Sequence, residues 1–404
     1  MKIVLATFGS RGDVQPMLAL SLALQSAGHR VLLAAPPEKG DWAQQMGCPF
    51  QPLGGNITAF IDTMKDVHTA RSAIHAIRYL RKEFISQFHT LPKIIAGADL
   101  VVGASLVGAL SSVAESMGIA YRYVAFSPSI LPSRHYPFPF CKRQDLPEYY
   151  NRITWQVAKI FDRFNLTSLI NKGRKELGLT PVKNAWLNIL GQRVIVASDK
   201  AISSVPEDVE LDVSQTGYLH LHQKGQHLEA LERFLDAGSP PVYAGFGSMP
   251  KKDQSGNIPI IVRAARSVGR RVVMAKFWEE PSEFSHSNDV FFISQYPHLK
   301  LFPRMAAVIH HGGAGTVATS AISGVPQIVV PHLLDQYYWG SQIYRSNLGP
   351  KPIWRSRLTS RKLAGAIHEA LSHKRMKQKA AAISRMIDRQ NSLDMAVREL
   401  MRGV

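Results

Sequence analysis

A glycine-rich turn between two buried segments constrains the fold of this chain more than any other stretch. Residues 305–309, MAAVI, have the length and composition of a buried strand, and residues 310–316 read HHGGAGT. The residues up to 323 are compatible with a helix that Gly324 and Pro326 end, and residues 327–330 form a second apolar strand. This order predicts an open α/β sheet, whose ligands bind beyond the carboxyl ends of the strands.

The turn itself predicts a binding site for an anion. Gly312, Gly313 and Gly315 allow the backbone to bend sharply and to approach a ligand closely. The unpaired N–H groups at the start of the following helix attract negative charge, so a phosphate or diphosphate is the expected occupant. His310 or His311 can add one directed hydrogen bond, and the residue pattern leaves open which. Turns of this kind also occur where nothing binds.

A polar pair follows the next strand. Asp335 and Gln336 stand near its carboxyl end, where ligands of such sheets bind. A carboxylate accepts hydrogen bonds and an amide both donates and accepts them, which suits the hydroxyls of a sugar. An anion site followed by a hydroxyl-binding pair therefore predicts a site for a nucleotide sugar.

Four sequence blocks in this region resemble one enzyme family. They are HHGGAGT at 310–316, GVPQ at 324–327, DQ at 335–336 and GPKPI at 349–353. In this order they resemble the donor-binding signature of UDP-glycosyltransferases of the GT-B fold, above all the bacterial natural-product glycosyltransferases and the sterol glucosyltransferases. The resemblance implies an α/β protein of GT-B architecture, in which two Rossmann-like, doubly wound parallel-sheet domains face each other across a cleft.

The length of the chain, 404 residues, suffices for two such domains. We expect an N-terminal, acceptor-binding domain over residues 1–217 and a C-terminal, donor-binding domain over 218–380. The resemblance also implies a final helix, over 381–404, that returns to the N-terminal domain.

The first loop of the chain, GSRGDVQP, also matches these families. The resemblance implies that Asp13 is the general base for the acceptor hydroxyl and that Ser10, Arg11 and Gly12 border the donor. A carboxylate in this role must be poorly solvated, because burial raises its pKa and makes it more basic. The alternative is that Asp13 only caps the helix predicted from Val14, since aspartate is favoured at helix N-termini.

The resemblance extends the donor site to both sides of the glycine turn. Ser248, within GFGSM, is implied to approach the diphosphate, and Tyr296 and His298 lie where plant relatives place a tryptophan against the base. That tryptophan is missing, and Thr319 replaces a plant glutamate, so UDP and TDP both stay open as carriers. The other expected donor contacts are His311, Gly313, Ala314, Gly315, Thr316, Asp335 and Gln336.

A segment rich in proline and aromatic residues, 131–150, predicts an irregular loop. The resemblance implies that this segment walls the acceptor pocket, with Tyr136, Phe138 and Phe140 as lining residues. Such a lining suits an apolar hydroxyl compound such as a sterol, polyketide, phenolic or lipid. A packed loop that binds nothing is the alternative.

The net charge of +18 calls for an anionic partner or a solvated basic surface. Nucleic acid is the usual partner of basic proteins, but no recognition helix or aromatic-interleaved basic sheet is visible, so we expect none. A basic stripe on the helix predicted over 68–88 could instead make peripheral contact with an anionic membrane. Its members are His68, Arg71, His75, Arg78 and Lys82. An ordinary solvated face is the alternative.

The expected location is the cytoplasm, with or without such peripheral contact. No stretch has the ~18 uninterrupted apolar residues of a membrane span, and residues 2–7 already read as a strand rather than a cleavable signal. Cys48 and Cys141 lack the spacing of metal ligands and are expected to be thiols in a reducing compartment.

The predicted reaction is the inverting transfer of a hexose, most readily glucose, from a UDP-sugar to a hydroxyl of an apolar small molecule, with a TDP-sugar as the other donor. We expect no metal and no cofactor, because helix dipoles and His311 can replace a divalent ion at the diphosphate and no DxD pair adjoins the turn. Two alternatives stay open: a nucleotide-sugar epimerase of the same architecture and a non-catalytic protein that binds nucleotide sugars.

Overall fold

Two parallel sheets follow each other along the chain in the computed structural model, which describes residues 1–63, 70–223, 228–247, 256–275, 284, 287–294 and 296–404. The first sheet contains β1 (Lys2–Phe8), β2 (Arg30–Ala35), β3 (Phe50–Pro52), β4 (Leu100–Ser105), β5 (Ala120–Ala125), β6 (Arg193–Val196) and β7 (Asp212–Gln215). The second contains β8 (Val242–Gly245), β9 (Val272–Ala275), β10 (Val290–Ile293), β11 (Ala307–His310) and β12 (Gln327–Val329).

Helices connect these strands and extend the chain beyond them. They are α1 (Arg11–Ser26), α2 (Gly40–Gln45), α3 (Ile57–Thr63), α4 (Ala70–Ile95), α5 (Leu110–Ser116), α6 (Glu148–Phe164), α7 (Leu166–Glu176), α8 (Ala185–Leu190), α9 (Glu229–Asp236), α10 (Ile258–Ser267), α11 (His298–Leu301), α12 (Ala314–Ile322), α13 (Gln336–Arg345), α14 (Ser360–Ser372), α15 (Lys374–Met386) and α16 (Arg389–Met401). Short 3-10 helices lie at Pro37–Lys39, Pro128–Ile130, Phe302–Arg304 and Arg355–Arg357.

The strand order of each sheet reverses once, and the reversal fixes where a ligand can bind. The first sheet has the order β3-β2-β1-β4-β5-β6-β7, so the chain leaves β1 and β4 in opposite directions. The second sheet, β10-β9-β8-β11-β12, reverses in the same way between β8 and β11. Ligands of doubly wound sheets bind at the carboxyl ends of the strands beside such a reversal. The predicted fold class, an α/β protein with two Rossmann-like parallel sheets, is confirmed.

The central strands are apolar along their length because both of their faces are buried. In β1, which reads KIVLATF, every residue after Lys2 is buried. Ile3 belongs to a core shared with α1, whereas Val4 and Phe8 belong to a second core shared with α4 on the opposite face. Burial on both faces holds β1 firmly, so the loop that follows it has a fixed starting point.

Helix α4 is longer than its sequence pattern predicted. It ends at Ile95 rather than near residue 88, because Leu91 and Ile95 continue its buried face. Of the predicted basic stripe, His75, Arg78 and Lys82 are exposed, whereas His68 and the side chain of Arg71 lie outside the described residues.

The C-terminal segment from Ser360 onward forms the three helices α14, α15 and α16. Thr359 caps the first of them, since its side chain accepts a hydrogen bond from the Lys362 N–H. The segment predicted as one returning helix, 381–404, holds the end of α15 and all of α16. Helix α16 packs against α1, with Ala396 and Leu400 buried in the first core. The domain limits after 217 and 380 stay predictions.

Candidate active site

The loop after β1 places the carboxylate of Asp13 at the reversal point of the first sheet. Helix α1 begins at Arg11 rather than at Val14, and Ser10 is its N-cap residue. Asp13 occupies the third helical position, where its Oδ2 accepts hydrogen bonds from the Ser10 N–H at 2.7 Å and the Ser10 hydroxyl at 3.0 Å. This is a capping box. Asp13 therefore does support the helix start, but with only one of its two oxygens.

The second oxygen of Asp13 is held from the neighbouring strand. Ser105 ends β4 directly opposite Phe8, and its hydroxyl donates to Asp13 Oδ1 at 2.6 Å. Ser105 has a φ of 58°, a conformation uncommon for serine, and its carbonyl accepts a hydrogen bond from Tyr123. Only glycine fits at position 9, because a Cβ there would lie 2.3 Å from Asp13 Oδ2. The carboxylate is thus fixed from three sides.

The environment of Asp13 favours its role as a proton acceptor. Burial raises the pKa of Asp13, although hydrogen bonds from Ser105 and Ser10 lower it in part. A raised pKa makes this carboxylate a stronger base than an exposed aspartate. Burial raises the pKa of Tyr123 and of Tyr218, and the negative charge of Asp13 raises it further, so both phenols stay protonated.

The two histidines of the glycine turn have separate tasks. His310 is fully buried, and its Nδ1 accepts the Gly312 N–H at 3.1 Å. Its Nε2 must then carry the proton and donate to the side-chain oxygen of Gln327 at 3.0 Å. Gln327 in turn donates to the carbonyl of Val317 at 3.2 Å. His310 is therefore a structural residue that ties the turn to β12 and α12.

His311 is the histidine that faces the candidate site. Its ring lies so close to Gly247 and Gly313 that a Cβ at either position would approach ring atoms within 2.8 Å and 2.5 Å. Its buried Nδ1 has no hydrogen-bond partner among the described residues. Burial lowers the pKa of His311 to about 4, so the imidazole is neutral at pH 7 without a ligand. It can offer a directed hydrogen bond there.

The start of α12 presents backbone donors beside this ring. Gly312 has a φ of 94°, which turns the chain sharply, and Gly313 is the N-cap residue of the helix. Gly313, Ala314, Gly315 and Thr316 are all partly exposed. The first N–H groups of a helix have no intrahelical acceptor, so those of Ala314 and Gly315 suit a bound anion.

Asp335 ends the loop after β12, and Gln336 is the first residue of α13. Part of the Gln336 side chain is already engaged in hydrogen bonds to this loop. Gln336 Oε1 accepts from the N–H groups of His332 at 2.8 Å and Leu333 at 3.1 Å, so its side-chain NH₂ is the group left for a ligand. Burial, and then the charge of Asp13, raise the pKa of Asp335 to about 7. We call the parts of the protein built on the first and second sheets its two lobes. The effect of the Asp13 charge on Asp335 indicates that one carboxylate from each lobe borders the same gap.

The charge of Arg11, in the first lobe, acts on His298, in the second. The Arg11 guanidinium lies 4.7 Å from the ring centre of Trp42. Burial, and then the charge of Arg11, lower the pKa of His298 to about 4. His298 is nevertheless held within its own lobe, because its Nε2 bonds the Tyr243 hydroxyl at 3.0 Å and its ring stacks on Phe302 at 4.5 Å.

The remaining residues predicted to contact the donor differ in their exposure and in their contacts. Tyr296 is half-buried and packs at the edge of the core around β10. Gly12 is exposed, and the Ser10 hydroxyl is engaged in the helix cap. Ser248 lies outside the described residues.

The three predicted acceptor residues lie in different surroundings. The Tyr136 ring contacts Tyr338 of the second lobe edge to face at 4.9 Å. Phe138 packs between Trp155 and Trp186, at 5.1 Å and 5.4 Å. Phe140 contacts Phe138 but is 62% exposed. The segment from Leu131 to Pro147 is irregular, as predicted, but Glu148, Tyr149 and Tyr150, which were predicted to belong to it, begin α6.

Two residues that border the site, Ser105 and Tyr218, were not predicted from the sequence. The Tyr218 hydroxyl lies 2.6 Å from where a Cβ of Gly315 would be, so it borders the start of α12. Its position, at the predicted boundary between the two domains, carried no signal of this contact. Ser105 is distinguished only by the β1–β4 register, which a local pattern does not reveal.

The described ranges offer neither a metal site nor a membrane-spanning helix. No group of three or more His, Cys, Asp or Glu side chains in the described ranges could hold a metal ion. No helix in the same part of the chain is long and apolar enough to cross a membrane.

Two protein-family descriptions match this chain. Residues 3–134 match the Glycosyltransferase family 28 N-terminal domain. Residues 264–392 match the C-terminal domain described as Erythromycin biosynthesis protein CIII-like. The first match includes the Asp13 loop, and the second includes the glycine turn.

Individual proteins resemble the chain over most of its length. It is 33% identical to the vancomycin aglycone glucosyltransferase of Amycolatopsis orientalis, over 86% of this chain and 85% of that protein. It is 29% identical to a sterol 3-beta-glucosyltransferase of Arabidopsis thaliana, over 98% of this chain and 67% of that protein. The solved structure of glycosyltransferase VinC in complex with dTDP matches with a TM-score of 0.72 at 20% identity, over 100% of this chain and 99% of that one. The similarity therefore includes both sheets.

Proposed function

The chain belongs to the GT-B glycosyltransferases that include the enzymes of natural products and sterols, and we propose that it transfers glucose from UDP-glucose to a hydroxyl of an apolar acceptor with inversion. The observation that carries this proposal is the approach of the two lobes at the site: α1, whose first turn holds Asp13, packs against α12, and the charge of Asp13 raises the pKa of Asp335 in the second lobe. A base and a sugar-binding carboxylate thereby share one gap, next to the anion-binding start of α12.

Asp13 is the proposed general base. The acceptor hydroxyl lies between its carboxylate and the anomeric carbon, and the hydroxyl oxygen bonds to that carbon while the bond to the diphosphate breaks on the opposite side. The proton moves to Asp13, and attack from the opposite side inverts the configuration. The hydrogen bonds from Ser10 and Ser105 hold the carboxylate in one orientation, which limits the reorganisation needed for attack.

The diphosphate leaves toward the N-terminus of α12. The N–H groups of Ala314 and Gly315 and the imidazole of His311 are the proposed donors, with the Ser248 hydroxyl as a further one. The helix N–H groups and the His311 ring are fixed before the reaction, so they stabilise the developing charge without reorganising. The arrangement supports a metal-independent reaction, and unchanged turnover in EDTA is the expected result.

The proposed ligands of the sugar are Asp335 and Gln336. The carboxylate of Asp335 accepts hydrogen bonds from sugar hydroxyls, and the side-chain NH₂ of Gln336 donates one. Glucose is proposed because both sequence relatives described above are named glucosyltransferases. TDP is the other candidate carrier, since VinC binds dTDP and a relative with 30% identity is named dTDP-epi-vancosaminyltransferase.

The proposed acceptor is an apolar natural product, sterol or lipid alcohol. The relatives are named for an aglycone and a sterol, and the aromatic segment around Phe138 offers an apolar environment of the same kind. We place the reaction in the cytoplasm, since Cys48 and Cys141 are free thiols. Peripheral contact with an anionic membrane belongs to the same proposal.

Replacement of Asp13 by asparagine tests the mechanism. We expect turnover to fall by about a thousandfold, because the amide cannot take the proton, while the affinity for UDP-glucose changes little. Release of UDP with an acceptor panel measures turnover, and titration calorimetry measures donor binding. Asp162→Asn is the matched control, since burial raises the pKa of this carboxyl too but it lies on α6 and accepts from Thr167.

Three results would contradict the proposal. Full turnover in Asp13→Asn would exclude this residue as the base. Retention of anomeric configuration in the product, read by NMR, would exclude the single displacement. Formation of an epimeric nucleotide sugar from donor alone would favour the epimerase alternative.

A further inference from the structure

Helix α6 carries an apolar surface that no described part of the chain covers. Large apolar side chains repeat along it at three- and four-residue intervals and so share one face. They are Tyr149, Ile153, Val157, Ile160, Phe161 and Phe164, between 38% and 75% exposed. We call these six residues the outer face of α6. Contiguous apolar surface of this kind marks an interaction site on a folded protein.

Cations border this outer face on one side. Arg152, Lys159 and Arg163 are exposed and follow one another at spacings of seven and four residues, which places them on an adjacent row of the helix. The two acidic residues of α6 are occupied elsewhere. Asp162 accepts a hydrogen bond from Thr167, and Glu148 lies 3.5 Å from Arg134. An apolar face with a basic border is typical of helices that lie in a membrane interface.

Helix α4 repeats the pattern on a neighbouring part of the same lobe. Both α4 and α6 pack against α7. The outward side of α4 combines exposed Ile74, Ile77 and Ile85 with cations such as Arg78 and Lys82. The basic stripe predicted from the sequence therefore lies beside exposed apolar side chains.

We propose that the outer face of α6 docks on an anionic lipid bilayer, with the basic residues of α6 and α4 at the headgroups. Charge selects this occupant over a second copy of the chain. Two copies that met through this face would bring basic rows together on molecules that each carry +18, whereas anionic headgroups attract them. The apolar residues then enter the interface, and the cations remain in contact with phosphate.

Docking would bring a lipophilic acceptor to the site, a consequence that rests on the proposed function. The inner side of α6 holds the aromatic segment: Trp155 Nε1 donates to the Tyr136 carbonyl at 2.9 Å, and Thr154 Oγ1 accepts from the Phe138 N–H at 2.8 Å. Asn151 donates to the Arg134 carbonyl at 2.9 Å. The surface that faces the bilayer and the segment proposed to wall the acceptor pocket are therefore joined through one rigid helix.

Sedimentation with lipid vesicles tests the docking. The full chain should bind phosphatidylcholine vesicles that contain about 30% phosphatidylglycerol, bind weakly to pure phosphatidylcholine, and lose affinity in salt. The double variant Ile160→Asp/Phe161→Asp should bind at least about tenfold more weakly, because two exposed apolar side chains that would enter the bilayer interface become charged. Met386→Asp is the matched control, since this methionine is 70% exposed on α15, and it should bind like the wild type.

The outcomes separate the docking from the catalytic proposal. Equal vesicle binding by the wild type and the double variant, or no binding by the wild type, would overturn the docking. A wild-type dimer that the double variant abolishes, without vesicle binding, would assign the face to a second copy. Turnover with a water-dispersed acceptor should be the same in both proteins, with melting temperatures confirming that both are folded. Vesicle binding without any turnover would leave the docking standing and remove the proposed function.

Discussion

Replacement of Asp335 by asparagine should make the protein more stable at neutral pH and less active. Burial, and then the charge of Asp13, raise the pKa of Asp335 from 3.8 to about 7. Between about pH 4 and pH 7 the folded protein therefore keeps a proton that the unfolded chain has released. The stability due to this proton is fully present below about pH 4 and is lost as the pH rises through about 7.

The size of the loss follows from the interval between the two pKa values. At about 1.4 kcal/mol per pH unit, an interval of about three pH units corresponds to about 4 kcal/mol, lost between about pH 4 and 7 and constant above. Asparagine resembles the protonated form and stays neutral throughout. The free energy of unfolding of Asp335→Asn, relative to the wild type, should therefore rise across this range by up to that amount.

Urea denaturation at a series of pH values, followed by tryptophan fluorescence, measures this difference. Asp41→Asn, at an exposed aspartate of α2, is the control for the substitution itself. The same Asp335→Asn protein should lose sugar binding, because the carboxylate that accepts from the sugar hydroxyls is gone. A stabilising substitution that removes activity is the expected behaviour of a buried functional charge.

A stability difference that does not change with pH would refute this reasoning. It would mean that the carboxyl of Asp335 is as well solvated in the folded protein as in the unfolded chain. The coupling to Asp13, on which the shared gap between the lobes depends, would then lose its support.

Three further substitutions test the parts around this gap. Ser105→Ala removes a hydrogen-bond donor to ionised Asp13, so the acidic limb of the pH profile of kcat/KM should move up by about one pH unit. An acidic limb at the wild-type pH would contradict the hydrogen bond between Ser105 and Asp13. Gly315→Ala places a Cβ 2.6 Å from the Tyr218 hydroxyl, and donor affinity should fall in calorimetry and recover in the double variant with Tyr218→Phe; no recovery would mean that the ligand, not the tyrosine, needs the space. His310→Ala should lower the free energy of unfolding by about 3 kcal/mol in urea denaturation, since it leaves a cavity and unpaired polar groups; a stable variant would contradict its structural role.

Sequence patterns correctly predicted those parts of the site whose residues are adjacent in the chain. The strand, turn and helix around residues 305–323 depend on apolar runs and glycines that are adjacent in the chain, and the structure has β11 and α12 there. The sequence pattern could not assign separate tasks to His310 and His311. Their division depends on the Gln327 side chain, which reaches His310 only after β12 has paired with β11.

Other features depend on contacts that no local pattern contains. The Ser105 hydroxyl reaches Asp13 across 92 positions of sequence, through the register of β1 and β4. The uncovered side of helix α6 could not be predicted from the sequence. Burial of Asn151 and the loop contacts of Trp155 decide which side faces inward, and only the packed loop supplies them.

The hydrogen bonds that hold Asp13 in place also oppose its function as a base. Each donor from Ser10 or Ser105 stabilises the ionised carboxylate and so lowers its pKa, whereas burial raises the pKa and prevails. A bound nucleoside diphosphate adds negative charge to the same gap, which raises the pKa of Asp13 again and that of His311 with it. Donor binding thus makes Asp13 a stronger base and at the same time favours protonation of the His311 imidazole, which then carries positive charge toward the diphosphate. The carboxylate can be both rigidly held and basic because its position is fixed by hydrogen bonds, while its basicity depends on the water that the two lobes and the donor exclude.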